Sequence, residues 1–84
     1  MQFDLVTPEK QIASLEATYV DIPGSEGAFG VLDGHSPLLS TLNAGVIRVE
    51  TAVGEKLFEV EGGFADVSAT TVTILAEVAS EVTA

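Results

Sequence analysis

Apolar and polar residues alternate along most of this 84-residue chain, and the period is two. Between Gly45 and Val53, the residues Ile47, Val49 and Val53 fall on one side with Thr51, while Val46, Arg48, Glu50 and Ala52 fall on the other. Successive side chains of a half-buried strand point to opposite faces in this way. Gly54 and Glu55 read as a turn into a second alternating run. In that run Lys56, Phe58 and Val60 share one face and Leu57, Glu59 and Glu61 the opposite one, so the pair of runs predicts a hairpin. Gly62 and Gly63 break the pattern, Phe64 to Ser68 makes another short strand, Ala69 and Thr70 a tight connection, and Thr71 to Glu77 is rich in β-branched residues. The N-terminal half is alike: strand composition around Phe3 and Leu5 before Pro8, then from Lys10 to Leu15, then from Glu16 to Ile22, each run closed by a turn former. Helical spacing with caps is missing from every long window, and only the stretch from Val78 to Ala84 has the composition to begin a helix. The predicted class is all-β, a small antiparallel sandwich or flattened barrel.

The segment from Pro23 to Leu42 interrupts the alternation. It holds four glycines, two prolines and the only histidine. Gly24, Gly27 and Gly30 recur every third residue, Asp33 and Gly34 form a turn dipeptide, and Pro37 forbids a helix from passing through. Backbone geometry is specified here more tightly than side-chain chemistry, which points to a docking surface before a catalytic pocket. Phe29, Val31, Leu32, Leu38, Leu39 and Leu42 crowd the same segment. Two readings fit them, burial in the core and a contiguous apolar patch for a protein partner.

Length and composition narrow the choice of class. Eighty-four residues make one domain with one modest core. With no cysteine, stability must come from apolar burial, which the 46% hydrophobic content can supply. The N-terminus has no basic segment followed by an apolar run, and no stretch approaches the roughly 18 apolar residues of a membrane span. A soluble cytoplasmic chain is expected. Thirteen acids against Lys10, Arg48 and Lys56 give a net charge of −10, which repels nucleic acid and anionic head groups and favours a basic partner. The same charge also serves simple solubility, and both roles can hold together.

Candidate chemistry is sparse. The run from Gly24 to Gly30 lacks the lysine and hydroxyl of a phosphate-binding loop and the spacing of a dinucleotide turn, and Glu26 stands where a phosphate would have to approach. Asp33, His35 and Ser36 have the residue types of a hydrolase triad, but neighbours on one turn cannot align base and nucleophile. One histidine, no cysteine and no calcium-loop pattern leave no metal site in view. The expected function is not enzymatic, with no cofactor and no metal.

The runs PGSEGAFGVLDGHSPLLSTLNAGVIRV and EGGFADVSATTVTILAEVA, together with the opening MQFDLVTPEKQIASLEATYVDIPG, resemble the epsilon subunit of F-type ATP synthase over nearly the whole chain. The resemblance implies a two-sheet antiparallel β-sandwich of about ten short strands, its inner faces roughly 10 Å apart. It also implies a non-catalytic part of the central rotor stalk that binds the gamma subunit along one side and the ring of c subunits with one end. Such a protein is peripheral, at the cytoplasmic face of the coupling membrane, with no nucleic acid partner and no membrane insertion. Carried over to this chain, the c-ring contact is Gly24, Ser25, Glu26, Gly27, Ala28, Phe29 and Gly30. The gamma contact is Thr7, Pro8, His35, Pro37, Leu38, Leu39 and Leu42. Relatives carry an acidic or polar residue after the middle glycine; Ala28 stands there in this chain, which leaves the contact to Glu26 and backbone groups. The family usually adds a C-terminal helical hairpin, and residues 78–84 are too few for two helices, so inhibition of hydrolysis and ATP sensing are not expected of residues 1–84. The alternative of another class is a free-standing sandwich that binds a small ligand or carbohydrate. The absence of tryptophan and the single tyrosine, Tyr19, count against it.

Overall fold

A computed structural model describes residues 1–82. Ten strands follow one another: β1 (Gln2–Val6), β2 (Gln11–Glu16), β3 (Tyr19–Ile22), β4 (Phe29–Val31), β5 (Leu38–Thr41), β6 (Gly45–Thr51), β7 (Gly54–Glu61), β8 (Phe64–Val67), β9 (Thr71–Leu75) and β10 (Val78–Val82). They form two five-stranded sheets, here called A, in the order β2-β1-β9-β8-β5, and B, in the order β10-β7-β6-β3-β4. The expected all-β sandwich is what the chain adopts. Pairing is antiparallel except between β1 and β9, which run parallel with Gln2 opposite Thr71 and Val6 opposite Leu75.

Alternation decides which side of each strand is buried. Phe3 and Leu5 of β1, Ala65 and Val67 of β8, and Val72 and Ile74 of β9 point inward from sheet A. Val20 and Ile22 of β3, Ile47 and Val49 of β6, and Phe58 and Val60 of β7 meet them from sheet B. The two layers are joined at the centre by Phe3 and Phe58, whose rings stack at 5.8 Å between centroids. Full burial of an aromatic or aliphatic side chain stabilises by about 1.5–3 kcal/mol, so this set dominates the stability of the domain. No polar or charged residue is buried among those described.

Glycines mark where the chain crosses between sheets. Gly62 and Gly63 take φ of +68° and +101° on the way from β7 in sheet B to β8 in sheet A. A side chain at Gly63 would run into the backbone of Leu75 and Ala76. That position therefore needs glycine for its conformation and for the close approach of another strand.

Four details differ from the sequence reading. The hairpin turn is Ala52 and Val53, since Thr51 pairs with Gly54, and Val53 is 95% exposed at its tip instead of sharing the buried face of Ile47 and Val49. Gly54 opens β7 with φ +134°, so the glycine serves the strand entry and not the centre of the turn. The stretch expected to begin a helix is strand β10 over Val78–Val82, paired with β7 from Glu61 to Leu57; residues 83 and 84 of that expectation lie outside the described residues. The edge of β7 offers a ladder of backbone partners, and Val78 and Val82 suit it better than a helix of one or two turns. Finally, the central segment is not one loop, because β4 and β5 lie inside it.

Candidate functional site

Two surfaces draw on the residues singled out above. The first is the outer face of sheet A. Register places Val6, Leu75, Phe64 and Thr41 in one row across β1, β9, β8 and β5, with Asp4, Thr73, Asp66 and Leu39 in the next. These are the outward positions of the strands, yet Leu39 (68% exposed), Phe64 (41%) and Leu75 (38%) are large and apolar. Where the first row meets the β1–β2 turn there is an open cleft of about 570 Å³, lined by Val6, Thr7, Pro8, Phe64, Leu75 and their neighbours Gly63, Ala76 and Glu77. Sheet strands hold this face rigidly, so an apolar patch here is a standing feature of the surface.

Of the seven residues of the expected gamma contact, the structure brings three, Thr7, Pro8 and Leu39, to this face and scatters the other four. Thr7 and Pro8 line the cleft, and Leu39 lies on the same outer face. Leu38 is opposite the inward-facing Val67 but remains 39% exposed at the sheet edge. His35 and Pro37 sit at the other end of the sheet, beyond the first residue of β5. Leu42 differs from the expectation of an accessible flank: it is 7% exposed and belongs to the core, drawn in by a bridge to Gly24 and a hydrogen bond from its N–H to the Gly63 carbonyl (3.0 Å). Val6, Phe64 and Leu75 were not singled out from sequence. Their signal was parity, since large apolar residues there fall out of phase with the buried set of the same strands.

The second surface is the tip formed by the β3–β4 connection. The Gly27 N–H donates to the Gly24 carbonyl (3.1 Å) and the Ser25 N–H to the Thr41 carbonyl (2.9 Å), while the Ser25 and Thr41 hydroxyls bond each other. Gly27 has φ +132°, and a side chain at Gly24 would come within 2.7 Å of the Gly27 carbonyl oxygen. The glycine spacing thus closes a tight turn pinned to the end of β5. Ser25, Glu26, Gly27 and Ala28 are exposed; Phe29 folds back against the core, and Gly30 lies in β4. Glu26 forms no ion pair among the described residues.

Asp33, His35 and Ser36 are not assembled as a triad. Asp33 instead pairs with the Met1 amine (2.9 Å), which also meets Glu16 (2.7 Å) and donates to the Ala17 carbonyl. Hydrogen bonds to Glu16 and Asp33 push that amine above its usual range. His35 Nδ1–H donates to the Ser36 carbonyl (2.7 Å) and is not directed at the Ser36 hydroxyl. Among the described residues no group of three potential metal ligands converges, and no helix is long and apolar enough to cross a membrane.

Residues 1–82 match the family model described as "ATP synthase, Delta/Epsilon chain, beta-sandwich domain". The chain is 52% identical over 77 residues to a protein of Jannaschia sp. (strain CCS1) named ATP synthase epsilon chain, covering 92% of this chain and 58% of that one. A protein of the same name from Caulobacter vibrioides is 46% identical over 81 residues, 96% of this chain and 94% of its own. Among solved structures, a chain in the Euglena gracilis mitochondrial ATP synthase, resolved as OSCP/F1/c-ring, superimposes with a TM-score of 0.86 at 29% identity, over 94% of this chain and 51% of that chain. A chain in the central stalk and c ring of the Tetrahymena thermophila mitochondrial enzyme has the same fold, with a TM-score of 0.73 at 17% identity over 93% and 63% of the two chains. The present chain thus spans a little over half the length of several relatives it matches.

Proposed function

The chain belongs to the β-sandwich family of ATP synthase delta and epsilon chains, and from that premise we propose that it is a non-catalytic subunit of the central rotor stalk, joining the gamma subunit to the c ring so that proton flow is coupled to ATP synthesis. The gamma subunit docks on the outer face of sheet A, with an apolar side chain entering the cleft beside Thr7 and Pro8 and others covering Leu39, Phe64 and Leu75. The c ring meets the tip, where Glu26 and exposed backbone groups face basic and polar loops. The protein is peripheral to the coupling membrane on its cytoplasmic side. It takes no cofactor, binds no nucleic acid and does not insert into lipid.

The observation that carries this reading is the exposed apolar set Leu39, Phe64 and Leu75, spread over two neighbouring rows of an outward sheet face, on a domain with net charge −10. Apolar centre and acidic surroundings are the anatomy of a protein interface, and a lasting rotor contact needs about 1,600 Å² of total buried area. Neither feature suits the alternative of a ligand-binding module. The cleft wall is apolar apart from Thr7 and Glu77, with no set of converging polar groups to orient a small molecule. Tyr19, the one tyrosine, has its hydroxyl bonded to Asp21 and its ring beneath Arg48, which removes it as a sugar platform. The test is to mix the chain with purified gamma subunit at micromolar concentration and resolve the species by size. A one-to-one complex is expected, and no association would overturn the reading.

A further inference from the structure

β4 is three residues long and forms an edge of sheet B. Its ladder to β3 is only Val20 opposite Val31, Asp21 opposite Gly30 and Ile22 opposite Phe29. A strand this short at an edge is a weak support, yet the tip is the connection between β3 and β4, so the tip points wherever β4 lies. On the inner side Val31 is buried and Phe29 packs on the core.

On the outer side a polar cluster closes over β4. The Tyr19 phenol lies against Gly30, where even a Cβ would overlap its hydroxyl and ring. Its hydroxyl donates to Asp21 Oδ1 (2.7 Å), and Asp21 Oδ2 accepts from Arg48 Nε (2.9 Å) and a terminal nitrogen (2.6 Å). Arg48 also reaches Glu50 (2.5 Å) and Glu55 (3.1 Å), with its guanidinium 5.6 Å from the Tyr19 ring centroid. The fork of Arg48 thereby fixes Asp21, Asp21 fixes the phenol, and the phenol lies against Gly30, whose backbone stays exposed beside it.

We infer that Tyr19, Asp21 and Arg48 are positioning residues for the tip: a clasp on the outer face of sheet B that sets the angle of β4 and hence the aim of Glu26 and its neighbours. The inference rests on the reading that the tip docks on the c ring. It assigns a role to the one arginine of the chain and a reason for glycine at position 30, where φ does not lie in the left-handed region and the backbone alone would accept alanine.

Gly30→Ala isolates the effect, because the space its methyl needs is the seat of Tyr19. Hydrogen exchange on the whole chain should show amides of the tip, Ser25 and Gly27, losing about tenfold in protection while those of β1, β6 and β9 keep theirs. Affinity for a purified c ring should fall by about tenfold, with affinity for gamma subunit within twofold of the parent. In a Tyr19→Ala background the same Gly30→Ala change should have almost no additional effect, since the group it displaces is gone. Additive losses in that cycle, or equal loosening of tip and core, would overturn the clasp. A tip that loosens as expected with undiminished c-ring affinity would leave the clasp standing and overturn the docking reading beneath it.

Discussion

The flank and the tip are built on opposite principles. The flank is made of side chains, Leu39, Phe64 and Leu75, set on strands whose other faces are the core. The tip is made of backbone: Gly24 and Gly27 shape it, and its exposed side chains at positions 25–28 are small or acidic. A flank of this kind binds by removing apolar area from water, tolerates salt and is lost by a single buried charge. A tip of this kind binds through shape and charge, responds to salt and depends on what holds it in place. Under the proposed function the two serve different ends, one a lasting grip on the gamma subunit and the other an oriented contact with the c ring.

Damage to the core beneath both surfaces should erase the distinction between them. Phe58→Ala deletes half of the Phe3–Phe58 stack and should destabilise the domain by about 3–5 kcal/mol in urea unfolding, with binding to gamma subunit and to c ring failing together. A more selective change is Phe64→Glu, which puts a charge in the centre of the flank. We expect gamma affinity to drop by about 30- to 100-fold, in the range of a central interface residue, with the unfolding midpoint little changed and c-ring binding retained. Glu26→Lys is the reciprocal experiment and a smaller one. It should weaken c-ring docking by about tenfold at low ionic strength, less at high salt, and leave gamma binding as it was. If either change weakened binding to both partners, flank and tip would be one surface.

The smallest effect expected is that of pH. Tyr19 donates a hydrogen bond to Asp21, and with the Arg48 fork this holds the Asp21 carboxyl below its usual value near 3.8. The same bond pushes the Tyr19 hydroxyl above its usual 10.0. A depressed carboxyl contributes stability that is fully present above its unfolded value and fades as pH falls through the folded one. Tip protection in hydrogen exchange should therefore stay flat from neutrality down to about pH 4 once intrinsic rates are corrected, and decline only below that. A decline centred near neutrality would contradict this assignment to Asp21.

Much of this was legible in the sequence, and what was not has physical causes. Parity alone identified the inward faces of β6 and β7, because Ile47, Val49, Phe58 and Val60 are buried on both sides of the hairpin. It misplaced the turn by two residues, since the eye goes to Gly54 and the actual turn, Ala52-Val53, has no turn chemistry of its own and is set by the strands around it. Strand β10 was hidden because Ala79, Ser80 and Glu81 are tolerated in either state and its partner β7 is distant in sequence. The glycine spacing marked the tight turn at Gly24 and Gly27, whereas the leucines of the central segment could not be divided by sequence: Leu38 faces inward yet stays half-exposed because β5 is an edge strand of sheet A, Leu39 faces outward, and Leu42 is drawn into the core by its bridge to Gly24. The Tyr19 clasp was out of reach, since it joins residues 19, 21, 30 and 48 through sheet register.

The most direct measurement is simultaneous binding. With the chain saturated by gamma subunit, a purified c ring should still bind, forming a ternary complex and leaving the gamma affinity unchanged within about twofold. Competition between the two partners would contradict the claim that this sandwich carries two separate docking surfaces.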